Sequence, residues 1–270
     1  MKKISVSIPG GNGRMGKTLL GLIIENEKYN LASATCLPNE DEVGIDIGTL
    51  VGKGKISKVL ETEPSFLFKN SDVLIDFTVP DATMFHAKKC YENNMSMVIG
   101  TTGLSKIQEE KLSILSKKIP IVYSANFSIG VTLLSSLVSN STKMLGNEWD
   151  IEILEMHHKH KVDAPSGTAL LLGKSAAQAR GQELSSVKST SRDGIVGKRK
   201  EFEIGFAVLR GGDVVGEHSV IFSNSGERIE LVHKATDRSI FAYGALRASY
   251  WAATADPGLY SLSDVLNNGG

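Results

Sequence analysis

Cysteine is almost missing from this chain: Cys36 and Cys90 are the only two in 270 residues. Two cysteines cannot build a disulfide framework, and a reducing compartment keeps both as thiols. Long apolar runs are missing as well, since none reaches the roughly 18 residues that a membrane-crossing helix requires. The opening Met1-Lys2-Lys3-Ile4 runs straight into a strand-like pattern, without the apolar stretch of a signal peptide. Net charge is also lacking. Lys and Arg together number 30 against 30 Asp and Glu, which removes the global field that attracts nucleic acid or anionic membrane. Internal repeats and low-complexity tracts do not occur. A composition of 41% hydrophobic and 22% charged residues excludes disorder, collagen and coiled coil. The expectation is a soluble, cytoplasmic globular protein that binds neither nucleic acid nor membrane.

What is present starts with glycine, 27 residues in 270 against about 7% on average, a sign of tight turns or close backbone approaches. At about 150 residues per domain the length implies two domains, or one large domain with an insertion. The first half alternates strand and helix patterns. Ile4 to Ile8, Leu31 to Thr35, Val73 to Phe77, Met97 to Ile99 and Ile121 to Tyr123 read as strands. Arg14 to Asn26, Asp81 to Asn93 and Leu104 to Lys118 read as helices. Such alternation implies right-handed βαβ units around a parallel sheet. From Ile129 the pattern changes to a long helix (Val131 to Leu145), a strand (Trp149 to Met156), a basic loop and a helix (Ser166 to Arg180). Three strand patterns follow, Lys200 to Leu209, Val214 to Ser223 and Arg228 to His233, and the short turns between them imply antiparallel pairing. A last helix, Asp237 to Thr254, stops at Asp256-Pro257-Gly258 and can return to the first domain. The fold class is α/β, with an N-terminal dinucleotide-binding domain of Rossmann type and a central α+β domain with a mixed or antiparallel sheet.

That assignment of the first domain rests on Gly10-Gly11-Asn12-Gly13-Arg14-Met15-Gly16, between the first strand and the first helix. Glycines there let backbone approach a pyrophosphate whose charge the helix N-terminus receives; the alternative is a plain tight turn. The carboxylate expected about 20 residues on, at the end of the second strand, is not there. Cys36-Leu37-Pro38 offers neither an acid for NAD nor an arginine for NADP, and Glu40 and Asp41 come late, so these residues leave cofactor choice open. Gly100-Thr101-Thr102-Gly103 and Ser124-Ala125-Asn126-Phe127 lie at carboxyl ends of strands, the edge where open α/β sheets bind ligands, though bland loops look the same.

The stretch from Glu155 to Thr168 carries the chemistry. His157, His158, Lys159, His160 and Lys161 precede a helix for which Ser166 is a plausible N-cap. Backbone N–H groups at Ser166-Gly167-Thr168 form an anion site, and flanking His and Lys can move protons to the same ligand. A solvated basic loop is the bland alternative. A metal site from His157, His158 and His160 is disfavoured by the adjacent lysines, and no metal is expected. Glu217 and His218 read as a structural pair, whereas Lys234 and Arg238 suit either an acidic substrate or a helix end.

Together these segments resemble the 4-hydroxy-tetrahydrodipicolinate reductase family, also called dihydrodipicolinate reductase. The likeness runs through Gly10 to Gly16, Gly100 to Gly103, Ala125 to Ser128, His157-His158 through Lys161 to Asp163-Ala164-Pro165-Ser166-Gly167-Thr168, Gly212 to His218 and His233-Lys234-Ala235. The resemblance implies reduction of a cyclic imine dicarboxylate in the diaminopimelate route to lysine. The substrate loses its hydroxyl as water, hydride adds at C4 of the conjugated imine, and the resulting enamine gains a proton at carbon. It further implies a dinucleotide domain of residues 1–128 with 238–270, and a substrate-binding domain of residues 129–237 whose sheet builds a homotetramer. His157 becomes the proton donor and acceptor and Lys161 a proton donor. His158, Ser166, Gly167, Thr168 and Thr102 hold the substrate. NADH or NADPH binds Gly10, Gly11, Asn12, Gly13, Arg14, Met15, Gly100, Thr101, Thr102, Ser124, Ala125, Asn126 and Phe127.

Two departures bear on the cofactor. Cys36-Leu37 stands where well-known members carry Glu-Arg, and Val79 where some carry Arg. Losing the arginines weakens the hold on a 2′-phosphate, and losing the acid removes the usual NAD ribose contact. The balance favours NADH slightly, with NADPH still used. Two other readings compete. Another amino-acid-pathway dehydrogenase would keep the glycine loop without this basic string, and a non-catalytic dinucleotide-binding redox sensor would not depend on His157 and Lys161.

Overall fold

The computed structural model of the chain describes residues 3–270; Met1 and Lys2, part of the opening read as leading into the first strand, lie outside the described residues. The chain begins with β1 (Ile4–Pro9), α1 (Arg14–Glu25), β2 (Tyr29–Thr35), the short α2 (Ile47–Leu50), β3 (Val73–Asp76), α3 (Pro80–Glu92), β4 (Ser96–Ile99), α4 (Lys106–Leu115) and β5 (Pro120–Tyr123). It continues with α5 (Ile129–Leu145), β6 (Asp150–His157), α6 (Gly167–Ala179), α7 (Leu184–Val187), β7 (Lys188–Ser189), β8 (Ile204–Arg210), β9 (Gly216–Asn224) and β10 (Glu227–Ala235). Last come α8 (Ser239–Ala252), β11 (Gly258–Tyr260) and α9 (Leu262–Asn267). Two compact units result, Met1–Ser128 with Ser239–Gly270, and Ile129–Arg238.

The first unit is a six-stranded parallel sheet in the order β2-β1-β3-β4-β5-β11. Both faces are covered, so β3 and β4 are buried along their whole length and read as unbroken apolar runs rather than as alternation. Against one face pack Leu19, Leu20 and Ile23 of α1 and Ala242, Ala245 and Ala248 of α8. Against the other lie Ala87 and Cys90 of α3 and Leu112 of α4. Strand order reverses between β1 and β3, which makes the carboxyl ends of these strands the binding edge. Two parts of this unit lie beyond the sequence reading. Residues 36–72 carry α2, a 3-10 turn (Pro64–Phe68) and isolated bridges of Thr35 to Glu61 and Asp46 to Val59. From Gly258, directly after Asp256-Pro257, the chain adds β11 alongside β5, a strand too short for periodicity to show.

The second unit is a five-stranded mixed sheet in the order β10-β9-β6-β8-β7, with α5 and α6 packed on one face. Its core joins Leu134 and Val138 of α5, Leu172 and Ala176 of α6, and Ile151, Ile153, Val220 and Phe222 of the sheet. One expectation fails here. β8 does not pair with β9 across the Gly211-Gly212 turn. β6 lies between them, parallel to β8 and antiparallel to β9, and only β9 and β10 form the expected hairpin. The connection crosses the end of β6 and bonds to it, Gly211 N donating to His157 O at 3.0 Å and His158 N to Val214 O at 2.7 Å. β8 also begins at Ile204 rather than at Lys200, because Glu201 and Phe202 form a turn. No helix among the described residues is long and apolar enough to cross a membrane.

Candidate functional site

In the first unit the glycine loop closes on itself. Gly10 adopts φ +64°, Gly13 N donates to Gly10 O at 3.0 Å, and Gly11 N donates to Thr35 O at 2.8 Å, tying the loop to the end of β2. A methyl group on Gly16 would lie 2.2 Å from Gly10 O, so the helix can approach the loop only as glycine. Gly13 caps α1 with no side-chain hydrogen bond, leaving first-turn N–H groups for an anion. A cavity of about 200 Å³ lined by Gly10, Gly13, Arg14, Met15 and Phe77 lies there. These residues fit the diphosphate of a dinucleotide: a cradle that a Cβ would fill, at a helix N-terminus.

The other two predicted segments reach the same edge, partly through backbone. Buried Asp76, at the end of β3, accepts from Thr78 N at 2.8 Å, Thr78 Oγ1 at 2.6 Å and Thr101 Oγ1 at 3.3 Å, and pairs with His86 Nδ1 at 2.7 Å. Thr83 Oγ1 donates to Thr101 Oγ1 at 2.8 Å. The Thr101 hydroxyl therefore points inward, while Thr102 is exposed. Ser124 Oγ donates to Asn126 O at 2.8 Å and Ser128 N to Asn126 Oδ1 at 2.7 Å. The Phe127 ring is buried in an edge-to-face contact with Phe77, so the segment's outward-facing groups are backbone and exposed Ala125. Asp76, Thr83 and His86 belong to none of the sequence motifs; the acid closing the apolar run Val73-Leu74-Ile75 is the one local signal of this group.

In the second unit, the strand alternation of β6 sends Glu155 and His157 to the same, helix-covered face. Glu155 is 1% exposed yet carries four hydrogen bonds. Arg210 donates twice, Nη1 to Oε2 at 2.8 Å and Nη2 to Oε1 at 2.9 Å. His157 Nδ1 lies 2.6 Å from Oε2, and Ser166 N donates to Oε1 at 3.0 Å. Burial pushes this carboxyl up, but the bonds from Arg210, His157 and Ser166 outweigh it and hold it below the usual carboxylate range. Glu155 is thus an anion and can only accept, so Nδ1 of His157 carries the proton. Burial, together with Lys161 and Arg210, lowers the His157 pKa against the opposing pull of Glu155. His157 is then neutral near pH 7, with a lone pair at Nε2. A methyl group at Gly216 would sit 3.0 Å from that Nε2, so glycine leaves this nitrogen uncovered.

Around this dyad the remaining predicted residues take distinct places. Ser166 caps α6, its Oγ accepting from Ala169 N at 3.1 Å and lying 2.9 Å from His218 Nε2. Its hydroxyl and N–H are both engaged within the unit, so Ser166 holds the helix end in place. Space ahead of Gly167 is open. Lys161 Nζ donates to Asp163 Oδ1 at 2.8 Å, and Arg210 Nη2 donates to Asp163 O at 2.7 Å, tying the basic loop to β8. His158 and His160 line an open cavity of about 570 Å³ with Lys159, Gly212 and Asp213. Among the described residues no group of His, Cys, Asp and Glu is arranged to hold a metal ion. The expected Glu217–His218 pair is not formed, because adjacent strand residues point to opposite faces. Glu217 meets Lys234 at 3.6 Å, while His218 turns inward to Ser166. Burial and the neighbouring His157 bring the His218 pKa down to about 4. No local pattern links Glu155 to Arg210; their 55-residue separation hides the pair.

A glycine cradle at the switch point of a doubly wound sheet, and a unit with a carboxylate-oriented histidine beside a helix N-terminus, define a dinucleotide-dependent oxidoreductase. Comparison with known proteins narrows the class. Residues 4–127 match the family model for the dihydrodipicolinate reductase N-terminus and residues 130–266 that for its C-terminus. The chain is 48% identical to the 4-hydroxy-tetrahydrodipicolinate reductase of Parvibaculum lavamentivorans, over 97% of each chain. It is similar to a dipicolinate-bound dihydrodipicolinate reductase from Paenisporosarcina sp. TG-14, with a TM-score of 0.75 and 25% identity over 96% of this chain and 97% of that one. A probable dehydrogenase from Thermotoga maritima shares the fold at a TM-score of 0.63 and 14% identity, covering 97% of this chain and 92% of its own. The chain belongs to the dihydrodipicolinate reductase family.

Proposed function

We propose that this chain reduces 4-hydroxy-tetrahydrodipicolinate to tetrahydrodipicolinate, with loss of water, in the cytoplasmic diaminopimelate route to lysine. The observation that carries the residue roles is Glu155–His157 beside the N-terminus of α6. When bound, reduced nicotinamide supplies the hydride. The glycine cradle, Gly100 to Thr102 and the Ser124 to Phe127 backbone hold the dinucleotide, with NADH favoured and NADPH still used. Open space at Gly167, the N–H groups of Gly167 and Thr168, and His158 on the basic loop receive the substrate carboxylates. The dicarboxylate named with the Paenisporosarcina relative supports a ligand of that chemistry.

Proton handling follows from the dyad. Glu155 fixes the tautomer that leaves Nε2 of His157 able to accept and then return a proton. Lys161, an ammonium held by Asp163 in this state, donates a proton once substrate draws it away. The helix-free face of the second sheet supports a homotetramer. Leu154 and Met156 of β6, Leu209 of β8, Ile221 of β9 and Val232 of β10 share that face in register, and Leu209 and Val232 are about half exposed.

The test generates substrate in place from pyruvate and aspartate semialdehyde with the preceding synthase and follows loss of reduced-nicotinamide absorbance. Wild type oxidises the cofactor rapidly, whereas Lys161→Ala loses about 10²–10⁴ in turnover, the range for a positioned proton donor, with dinucleotide affinity unchanged. A folded wild type that binds dinucleotide but does not oxidise it favours the redox sensor instead.

A further inference from the structure

The second strand of the first unit lacks the acid that dinucleotide-binding sheets place at this point for the adenosine ribose. Thr35 is followed by buried Cys36 and by Leu37, which is 70% exposed. An acid arrives from further along the chain. Residues 37–45 fold back through consecutive turns, Glu40 N donating to Leu37 O at 3.3 Å, Val43 N to Glu40 O at 3.2 Å and Ile45 N to Glu42 O at 3.1 Å. Both ends of this excursion are pinned to one segment. Cys36 N donates to Glu61 O, Gly44 N to Leu60 O and Leu60 N to Ile45 O, each at 2.9 Å. The excursion is thus a built loop. Glu40 and Asp41 face solvent, but Glu42 is half-buried and turned toward the glycine cradle. Its Oε1 accepts from Lys17 Nζ, in the first turns of α1, at 3.2 Å. The Lys17 bond, helped by the Asn12 side chain, holds the Glu42 carboxyl below its ordinary range, so the group is an anion beside the cradle's apex.

We infer that Glu42 takes the place of the missing strand-end acid, accepting from the adenosine ribose hydroxyls, and that its pairing with Lys17 selects NADH over NADPH. This rests on the reductase reading, in which the glycine loop holds the cofactor. A free ribose offers hydroxyl donors that a carboxylate can accept. A 2′-phosphate brings a charge of about −2 against that carboxylate, and Lys17, which could have received it, is already neutralised. Leu37 and Val79, 70% and 61% exposed at the ends of β2 and β3, add apolar surface and no positive charge.

The test is calorimetric titration of the protein with NADH and with NADPH, a binding readout that needs no turnover. Wild type binds NADH more tightly. Glu42→Gln weakens NADH, frees Lys17 for the 2′-phosphate, and shifts the ratio of the two dissociation constants by about tenfold or more, the scale of one charge-assisted hydrogen bond. Adding Lys17→Met to that variant removes the gain for NADPH. A ratio unchanged in Glu42→Gln, or a wild type that prefers NADPH, overturns the inference while leaving the reductase reading intact. Failure of wild type to bind either dinucleotide overturns both together, a result that the titration distinguishes from the first two.

Discussion

Glu155→Gln keeps the volume of a buried side chain and removes only its charge and one of its two accepting ends, which isolates what the carboxylate does. Each oxygen of Glu155 faces two donors, Arg210 Nη1 and His157 Nδ1 at Oε2, Arg210 Nη2 and Ser166 N at Oε1. An amide can accept at one end only, so two donors confront an NH₂ group. Two such bonds at about 1.5–3 kcal/mol each, and the cost of breaking a buried charge pair, agree on a destabilisation of about 3–5 kcal/mol. Catalysis should suffer separately. With the amide nitrogen toward Nδ1, the imidazole must move its proton to Nε2, turning the nitrogen proposed to take the proton from acceptor to donor. Loss of about 10²–10⁴ in kcat follows, the scale for a misoriented catalytic base. Glu155 is also the group that raises the His157 pKa, so the acid limb of the kcat/KM profile should move to lower pH. The assays are urea unfolding, NADH titration and the pH–rate profile with substrate generated in place. A folded variant whose kcat stays within a few-fold of wild type, on an unmoved profile, would refute the reasoning.

Two further outcomes are expected. Gly16→Ala places a methyl 2.2 Å from Gly10 O; shifting packed backbone to relieve it costs about 1–3 kcal/mol, so NADH affinity should fall by roughly 5- to 140-fold, measured by fluorescence titration. His218 has a pKa of about 4 in the fold against about 6.5 unfolded. Both states are neutral about a pH unit or more above 6.5. As pH falls from there toward 4 the unfolded chain takes up the proton first, so stability is lost across that window, by about 3 kcal/mol in all. Urea midpoints at pH 7 and 4.5 check this, and the difference should shrink in His218→Gln.

Much of the binding edge was legible because its signals are local. A glycine loop between a strand and a helix constrains itself within seven residues, and Gly100-Thr101 and Ser124 to Phe127 follow apolar runs whose carboxyl ends mark the edge. Side-chain direction was not legible there. Whether Thr101 offers its hydroxyl to a ligand depends on Asp76, 25 residues earlier, and whether Phe127 presents its ring depends on Phe77. The antiparallel expectation for β8 and β9 failed for a related reason. A short turn shows that two strands are near each other, but β6 can insert between them when the connection bonds over its end.

Sequence alone determined the parallel α/β unit, the cradle at Gly10 to Gly16, and the family that the run from His157 to Thr168 marks. These rest on short-range periodicity, backbone sterics and helix termini, which neighbouring residues dictate. Tertiary structure decided the state of the chemical groups. It joined Glu155 to Arg210 across 55 residues, set the proton of His157 on Nδ1, turned His218 inward to Ser166, and folded Glu42 back to Lys17. Those facts depend on which polar atoms the fold brings within about 3 Å of one another and how far it removes them from water, and no pattern along the chain encodes either.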